Sequence, residues 1–406
     1  MSLTKVTYSM VSGAPGNVLD HGTNTTPGTT NMAPAINAAI AAHDDVYIPE
    51  GIYNITSTIL VPAGKRVRGA GAGTRIKSSL SSGVAAFTVG NPANNVLSYG
   101  CGVSDLNIEP PTANTGTIGI LAYSTVGARF ANIEVQSDVN IGTIGFKLDG
   151  GYSAFFNVLD NFLCNHCHIG YWITTTGVSY PTCQTFIGCS SFGDANAGDA
   201  TSIGFKFEVV ATNSCGTDST IIGGNMEWCG TGVEVIDFNK LTVIGLRNEN
   251  NTVDIQGGAF TSNCAFIGCR NIGTVDTLAT TNGGYGRNSF FACDGAAGIV
   301  NTVGTKTVME AFDATDTPLA IVGFPAQTAA LQQYKNSGGS VLCEVLADGN
   351  VCVGGPTGTA NTTTIKGISS LTVGAAGGAS ALPATPLGYM VFDKDGTTVK
   401  VPYYSA

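Results

Sequence analysis

The chain has 406 residues and a formal net charge of −10, with 11% charged and 43% hydrophobic residues. That balance excludes a disordered polyelectrolyte, and the acidic charge excludes a nucleic-acid partner, which needs a basic face. No apolar run reaches the ~20 residues needed to cross a bilayer, so membrane insertion is not expected.

Residues 1–20 read as a short N-terminal attachment segment. Their opening MSLTKVTYSMVSGAP lacks the apolar stretch of a secretory signal, so no signal peptide is expected and the cysteines are expected to be free thiols. The stretch NMAPAINAAIAAH (Asn31 to His43) predicts a helix, with Ile36, Ala39 and Ile40 on one side and Pro34 in its first turn. From Val46 onward, short β-branched runs alternate with Pro-Glu-Gly, Pro-Ala-Gly and Gly-Ala-Gly breaks. This predicts strand, turn, strand, turn. The G-x-G-x-G of Arg68 to Gly73 opens no helix, so it is expected to be a turn and not a dinucleotide loop.

From about Cys101 to Val303 the chain repeats. The dipeptide Ile-Gly recurs at Ile187, Ile222, Ile244 and Ile267, in steps of 35, 22 and 23 residues. A period of about 20–25 residues is that of one coil of a β-solenoid, and the longer step predicts an inserted loop. No amphipathic helices intervene, which excludes a βαβ fold. Beyond residue 306 the character changes to hairpin-like segments, LQQYKNSGGSVLCEVLADGNVCVGG and LGYMVFDKDGTTVKVPYYSA. The expected organisation is an attachment segment (1–20), a solenoid (21–305) and a C-terminal β-rich module (306–406).

The early helix, VYIPEGIYNI, VRGAGAGTRI, and the later GGNMEWCGTGVEV and ENNTVDI resemble the pectate-lyase-like β-helices of bacteriophage tailspikes. The resemblance implies an all-β, right-handed parallel β-helix with one short N-terminal helix. It implies a homotrimer joined through the C-terminal module, attachment to the phage tail through the N-terminus, and a virion location. It further implies a protein that binds host surface polysaccharide and either cleaves it or, in the alternative, serves only as an adhesion or structural spike. Glycoside hydrolysis is expected ahead of lyase chemistry, because the aspartate set of a pectate lyase is missing.

Side chains of a strand alternate between faces. With each Ile of Ile-Gly taken as inward, Cys189, Ser191, Gly224, Met226, Leu246, Asn248, Cys269 and Asn271 follow inward, and Asn248 over Asn271 forms a ladder. Phe186, Ile221, Val243 and Phe266 then face outward and would suit a trimer interface. The outward set also holds a glycine lane, Asn225, Arg247 and Arg270, and a lane of Phe192, Glu227, Glu249 and Ile272. Glu227 and Glu249 are thus expected one rung apart, close enough for the paired carboxyls of a glycosidase. Arg247, Arg270, Trp228 and Asn225 are the expected sugar contacts. Asp194, in the inserted GDANAGDA, is a further catalytic candidate. Stacked glutamates are equally the mark of a repeating scaffold, with the arginines as a surface network. The run Cys164 to His168 matches C-x-x-C-H, but an extended strand would turn its cysteines to opposite faces, so no haem, metal or other cofactor is expected.

Overall fold

The computed structural model describes residues 14–276 except 94–95, 112–115, 138–141, 178, 194–199, 209–215, 237, 259–260, 262 and 273–274. Beyond these it describes 289–291, 293, 332–335, 341–345, 351–353, 385–386, 388–394 and 397–403. The chain divides into two compact units, Met1–Lys306 and Thr307–Ala406.

The first unit is a right-handed parallel β-helix, the hand that parallel crossovers take. The helix Ala33–Ala42, with proline in its first turn, buries Ala33, Ile36, Ala39 and Ile40 against the first rungs. Each later coil lays down three main strands. In one coil these are Thr242–Ile244 on the first face, Arg247–Glu249 on the second and Val253–Gly257 on the third. A fourth ladder of two-residue strands, from Ser98–Tyr99 to Phe238–Asn239, precedes the first face.

Three corners turn the chain between these strands through residues with a positive φ, one at most corners and two in succession at Gly223 and Gly224. Asp105, Asn132, Asn161, Gly188, Gly223, Gly245 and Gly268 form the corner between first and second faces. His166, Trp228, Asn250 and Asn271 follow the second face, and Phe156, Cys183, Asp218, Lys240 and Asn263 precede the first. Only asparagine, aspartate and glycine tolerate this conformation readily. At the first corner the side chains also bond along the axis: Asn132 Nδ2 donates to Asp105 Oδ1 at 2.8 Å, and Asn161 Nδ2 to Asn132 Oδ1 at 3.1 Å.

These corners correct half of the face assignment. Each left-handed residue breaks the alternation by one position. Phe186, Ile221, Val243 and Phe266 are therefore fully buried, and Ile187, Ile222, Ile244 and Ile267 are exposed. Past the glycine, the expected parity returns: Cys189, Ser191, Met226, Leu246, Asn248 and Cys269 are buried, and Glu227, Glu249, Arg247 and Arg270 face out. The coil that begins at Ala265 is a further exception. Asn271 sits exposed at its corner and Ile272 is buried, so the Asn248–Asn271 ladder does not form. The axial amide ladder lies instead at Asp105, Asn132 and Asn161.

The interior is a column of rings, with Phe130, Phe146, Phe162, Tyr171, Phe186, Phe205, Phe207 and Phe238 in successive edge, tilted and stacked contacts. Four third-face strands, IGILA, IGFKL, IGYWI and IGFKF, share the pattern apolar–Gly–apolar–x–apolar. A Cβ at Gly170 would lie 2.4 Å from Ser191 Oγ and 2.7 Å from the Gly204 carbonyl oxygen, so packing from the neighbouring strand requires the glycine. In the second unit, Gln332–Lys335, Val341–Val345 and Val351–Val353 form an antiparallel sheet, and Gly388–Lys394 pairs with Thr397–Tyr403 as a hairpin.

Two glycines separate strain from packing. Gly245→Ala meets open space at φ +66° and is expected to cost about 1–2 kcal/mol in backbone strain alone. Gly170→Ala is expected to cost about 3 kcal/mol, because a backbone carbonyl stands in the way. Denaturation midpoints of the two variants check the order; equal shifts would contradict it.

Candidate functional site

On the second face, Glu227 and Glu249 are direct register partners, as are Asn225 and Arg247. Phe192 pairs with Glu227 on the other side, and Arg247 bridges to Arg270. Adjacent rungs lie about 4.8 Å apart, so the two carboxylates begin near one another and can splay. Arg247 Nη2 forms an ion pair with Glu249 Oε2. Asn225 Nδ2 donates to Glu227 Oε2 at 2.9 Å, and the Asn225 Oδ1 has no partner. Trp228 stands at the following corner at φ +56°, its backbone N–H donating to the Glu249 carbonyl oxygen at 3.0 Å, and the residue is 36% exposed. A Cβ at Gly223 or Gly245 would meet nothing within 4 Å. The corner ahead of this face is therefore bare backbone, while Asn225, Arg247 and Trp228 flank the glutamates themselves.

Six of the seven expected site residues thus share one face. Asp194, the seventh, lies outside the described residues, as does Asp199. The lane ends where the next coil shortens: Ile272 turns inward and no third glutamate follows.

The cysteines of the C-x-x-C-H run are interior, contrary to the opposite faces that strict alternation predicts, while His166 and His168 are half-buried. His166 at φ +54° turns the chain, so Cys164 and Cys167 are both buried rather than on opposite faces. The nine described cysteines are free. Burial pushes the Cys189 and Cys229 thiols up to about 12, which makes them packing groups and not nucleophiles. Among the described residues no group of three or more His, Cys, Asp or Glu could hold a metal ion, and no helix is long and apolar enough to cross a membrane.

A second polar cluster lies on the third face. Leu121, Lys147, Trp172, Lys206, Glu234 and Gln256 stack in one lane. Lys147 Nζ lies 4.5 Å and Lys206 Nζ 5.4 Å from the Trp172 ring centroid. Lys206 also reaches Glu208 at 3.0 Å and Glu234 at 3.6 Å. Burial raises the Glu234 carboxyl above its ordinary value, more than Lys206 lowers it. Expectations built on one Ile-Gly repeat miss this cluster. The signal was a second repeat, IGILA, IGFKL, IGYWI, IGFKF and TGVEV, whose fourth position is the outward lane.

The sign for Glu234 follows from its raised carboxyl. Folding disfavours the charged form, so its contribution is most favourable below about pH 4.5 and declines as pH rises through the shifted value. Glu234→Gln is therefore expected to raise the melting temperature at pH 7 and to leave it unchanged at pH 4. A variant less stable at pH 7 would mean that the Lys206 pair outweighs burial.

No protein-family model matches the chain, and no curated protein matches it. Among solved structures, the chain is similar to ORF18 of Geobacillus virus E2, at 18% identity and TM-score 0.49, covering 69% of this chain and 61% of that one. It is similar to the tailspike gp49 of Acinetobacter baumannii bacteriophage Fri1, a capsular polysaccharide depolymerase, at 16% identity and TM-score 0.41, over 64% of this chain and 52% of that one. A further similarity is to the A-module of the Azotobacter vinelandii mannuronan C-5 epimerase AlgE4, at 15% identity and TM-score 0.43, over 69% and 95%. The chain therefore spans roughly half to six-tenths of the length of the two viral proteins. The parallel β-helix itself rests on the chain's own strand pairing. In fold the chain resembles bacteriophage tailspike proteins.

Proposed function

We propose that the protein is a bacteriophage tailspike that binds a bacterial surface polysaccharide and hydrolyses its glycosidic bonds. The observation that carries this reading is the in-register, outward pairing of Glu227 with Glu249. Retaining glycosidases hold their two carboxyls about 5–5.5 Å apart and inverting ones about 6.5–9.5 Å apart, a range that begins at one rung. Glu249, ion-paired to Arg247, serves as the carboxylate that activates water or attacks the sugar. Glu227, held by a neutral amide, serves as the proton donor to the leaving oxygen. Arg247 and Arg270 face an acidic sugar, Trp228 offers a ring for stacking, and Asn225 supplies an amide. Asp194, in the inserted sequence GDANAGDA, stands as a third candidate.

In this reading the protein resides in the virion tail, attached through its N-terminal segment. It acts as a homotrimer with the C-terminal module joining the copies. The exposed ladder of Ile187, Ile222, Ile244 and Ile267 supports self-association, since four stacked aliphatic side chains otherwise face water. One observation favours the alternative, a spike that adheres without cleaving: Arg247 already neutralises Glu249 within the chain.

Incubation with purified host polysaccharide separates the two. Hydrolysis releases new reducing ends without absorbance near 235 nm, and Glu227→Gln and Glu249→Gln each slow it by about 10²–10⁴-fold. Glycan that is retained at unchanged length would establish the adhesion alternative. Full activity in both variants would move the chemistry elsewhere.

A further inference from the structure

The first face carries a second arginine arrangement, far along the chain from the glutamates. One outward lane runs Asp45, Arg66, Gly102, Arg129 and Val158, and the next runs Tyr47, Arg68, Ser104, Ala131 and Asp160. The middle rung therefore has only Gly102 and Ser104 between rungs that bear arginine. A groove of about 620 Å³ lies over it, lined by Arg66, Arg68, Arg129, Asp45, Gly102 and Ser104 among others. Gly102 cannot be filled in, because a Cβ would lie 2.3 Å from the Arg129 carbonyl oxygen. Arg66 and Arg129 stand two rungs apart, about 10 Å along the axis, with bare backbone between them.

The charges balance in number but not in pairing. Arg68 pairs with Asp45 at 3.5 Å, and Arg129 with Asp160 at 3.0 Å. Asp105 is taken up by the Ser104 hydroxyl at 2.7 Å and the Asn132 amide at 2.8 Å. Among the described residues, exposed Arg66 has no carboxylate within ion-pair distance. Arg66 is thus the arginine of this groove that no carboxylate engages, since Asp105 is held by neutral donors instead. Guanidinium groups bind carboxylates with a paired, planar geometry that a compact ammonium cannot offer.

We propose that this groove is a subsite for the carboxylate of an acidic sugar unit, held by Arg66 with Arg129 closing from the far rung. The inference rests on the polysaccharide-binding reading and deepens it: the polymer is acidic, and the chain grips it at a site separate from the glutamate pair. The Arg129 carbonyl oxygen excludes a side chain at Gly102, and the sugar ring spans the low rung that this leaves.

The test uses the full chain and monosaccharide probes, so it does not depend on cleavage. Sodium glucuronate, its methyl ester and sodium sulfate are titrated separately by saturation-transfer NMR. Glucuronate is expected to bind, with the ester weaker by about tenfold or more, since the ester has no charge for Arg66. Arg66→Ala and Arg129→Ala are expected to weaken glucuronate by a similar factor. Arg75→Ala, on the second face and paired with Glu109, should not. Three results would overturn the proposal: no glucuronate binding, equal binding of the ester, or undiminished binding in Arg66→Ala. Sulfate binding as tightly as glucuronate through Arg66 would also overturn it, reducing the groove to a site for inorganic anions. Each of these results leaves the hydrolase reading intact, because that reading stands or falls on reducing ends.

Discussion

The left-handed residue at a corner is the constraint on which the rest of this β-helix depends. Such a residue turns the chain from one face to the next without a loop, and it shifts the inward–outward alternation by one place. For side chains other than glycine this conformation costs about 1–2 kcal/mol. Each corner offsets that cost by bonding to the next coil. The Gly188 N–H donates to the Ile222 carbonyl, that of Gly223 to Ile244 and that of Gly245 to Ile267, all at 2.8 Å. Where glycine is replaced, Asn132 and Asn161 add side-chain bonds along the same line. Corner and register are therefore one interaction: the residue that turns the chain also pins it to its neighbour.

This explains what was legible in the sequence. Coil period and pairing follow from the Ile-Gly spacing, because a repeated corner needs a repeated glycine. Ile187, Ile222, Ile244 and Ile267 do stack as partners. Their direction was not legible, since strict alternation takes no account of a glycine that interrupts it. The same omission placed Phe186 and Phe266 outside, and neglect of the turn at His166 sent Cys164 and Cys167 apart. The outward lane of Glu227, Glu249 and Arg247 came out correctly because it lies wholly beyond the corner. The third-face cluster of Trp172, Lys206 and Glu234 was encoded as plainly, but in a second repeat with its own phase.

Stacking also decides which chemistry the surface can offer. A parallel coil brings residues about 22 positions apart in the chain into contact, so one substitution per coil writes a lane. Glutamates on consecutive coils yield a carboxyl pair. Arginines that skip a coil leave a notch over bare backbone. The interior lanes hold rings and inert thiols, which keep the shape constant while outer lanes vary. Glycan recognition suits such a surface, because an extended sugar chain can lie across several rungs.

The direct test of this account is whether positions 227 and 249 are neighbours on the outside of the solenoid. In the double variant Glu227→Cys and Glu249→Cys, the Cα separation of one rung falls within the 4.4–6.8 Å that a disulfide spans. Mild oxidation followed by peptide mass mapping should recover these two segments covalently joined, with Cys189 and Cys229 unmodified. If the introduced thiols stay separate, or join the buried cysteines instead, the register is wrong and the carboxyl pair does not exist.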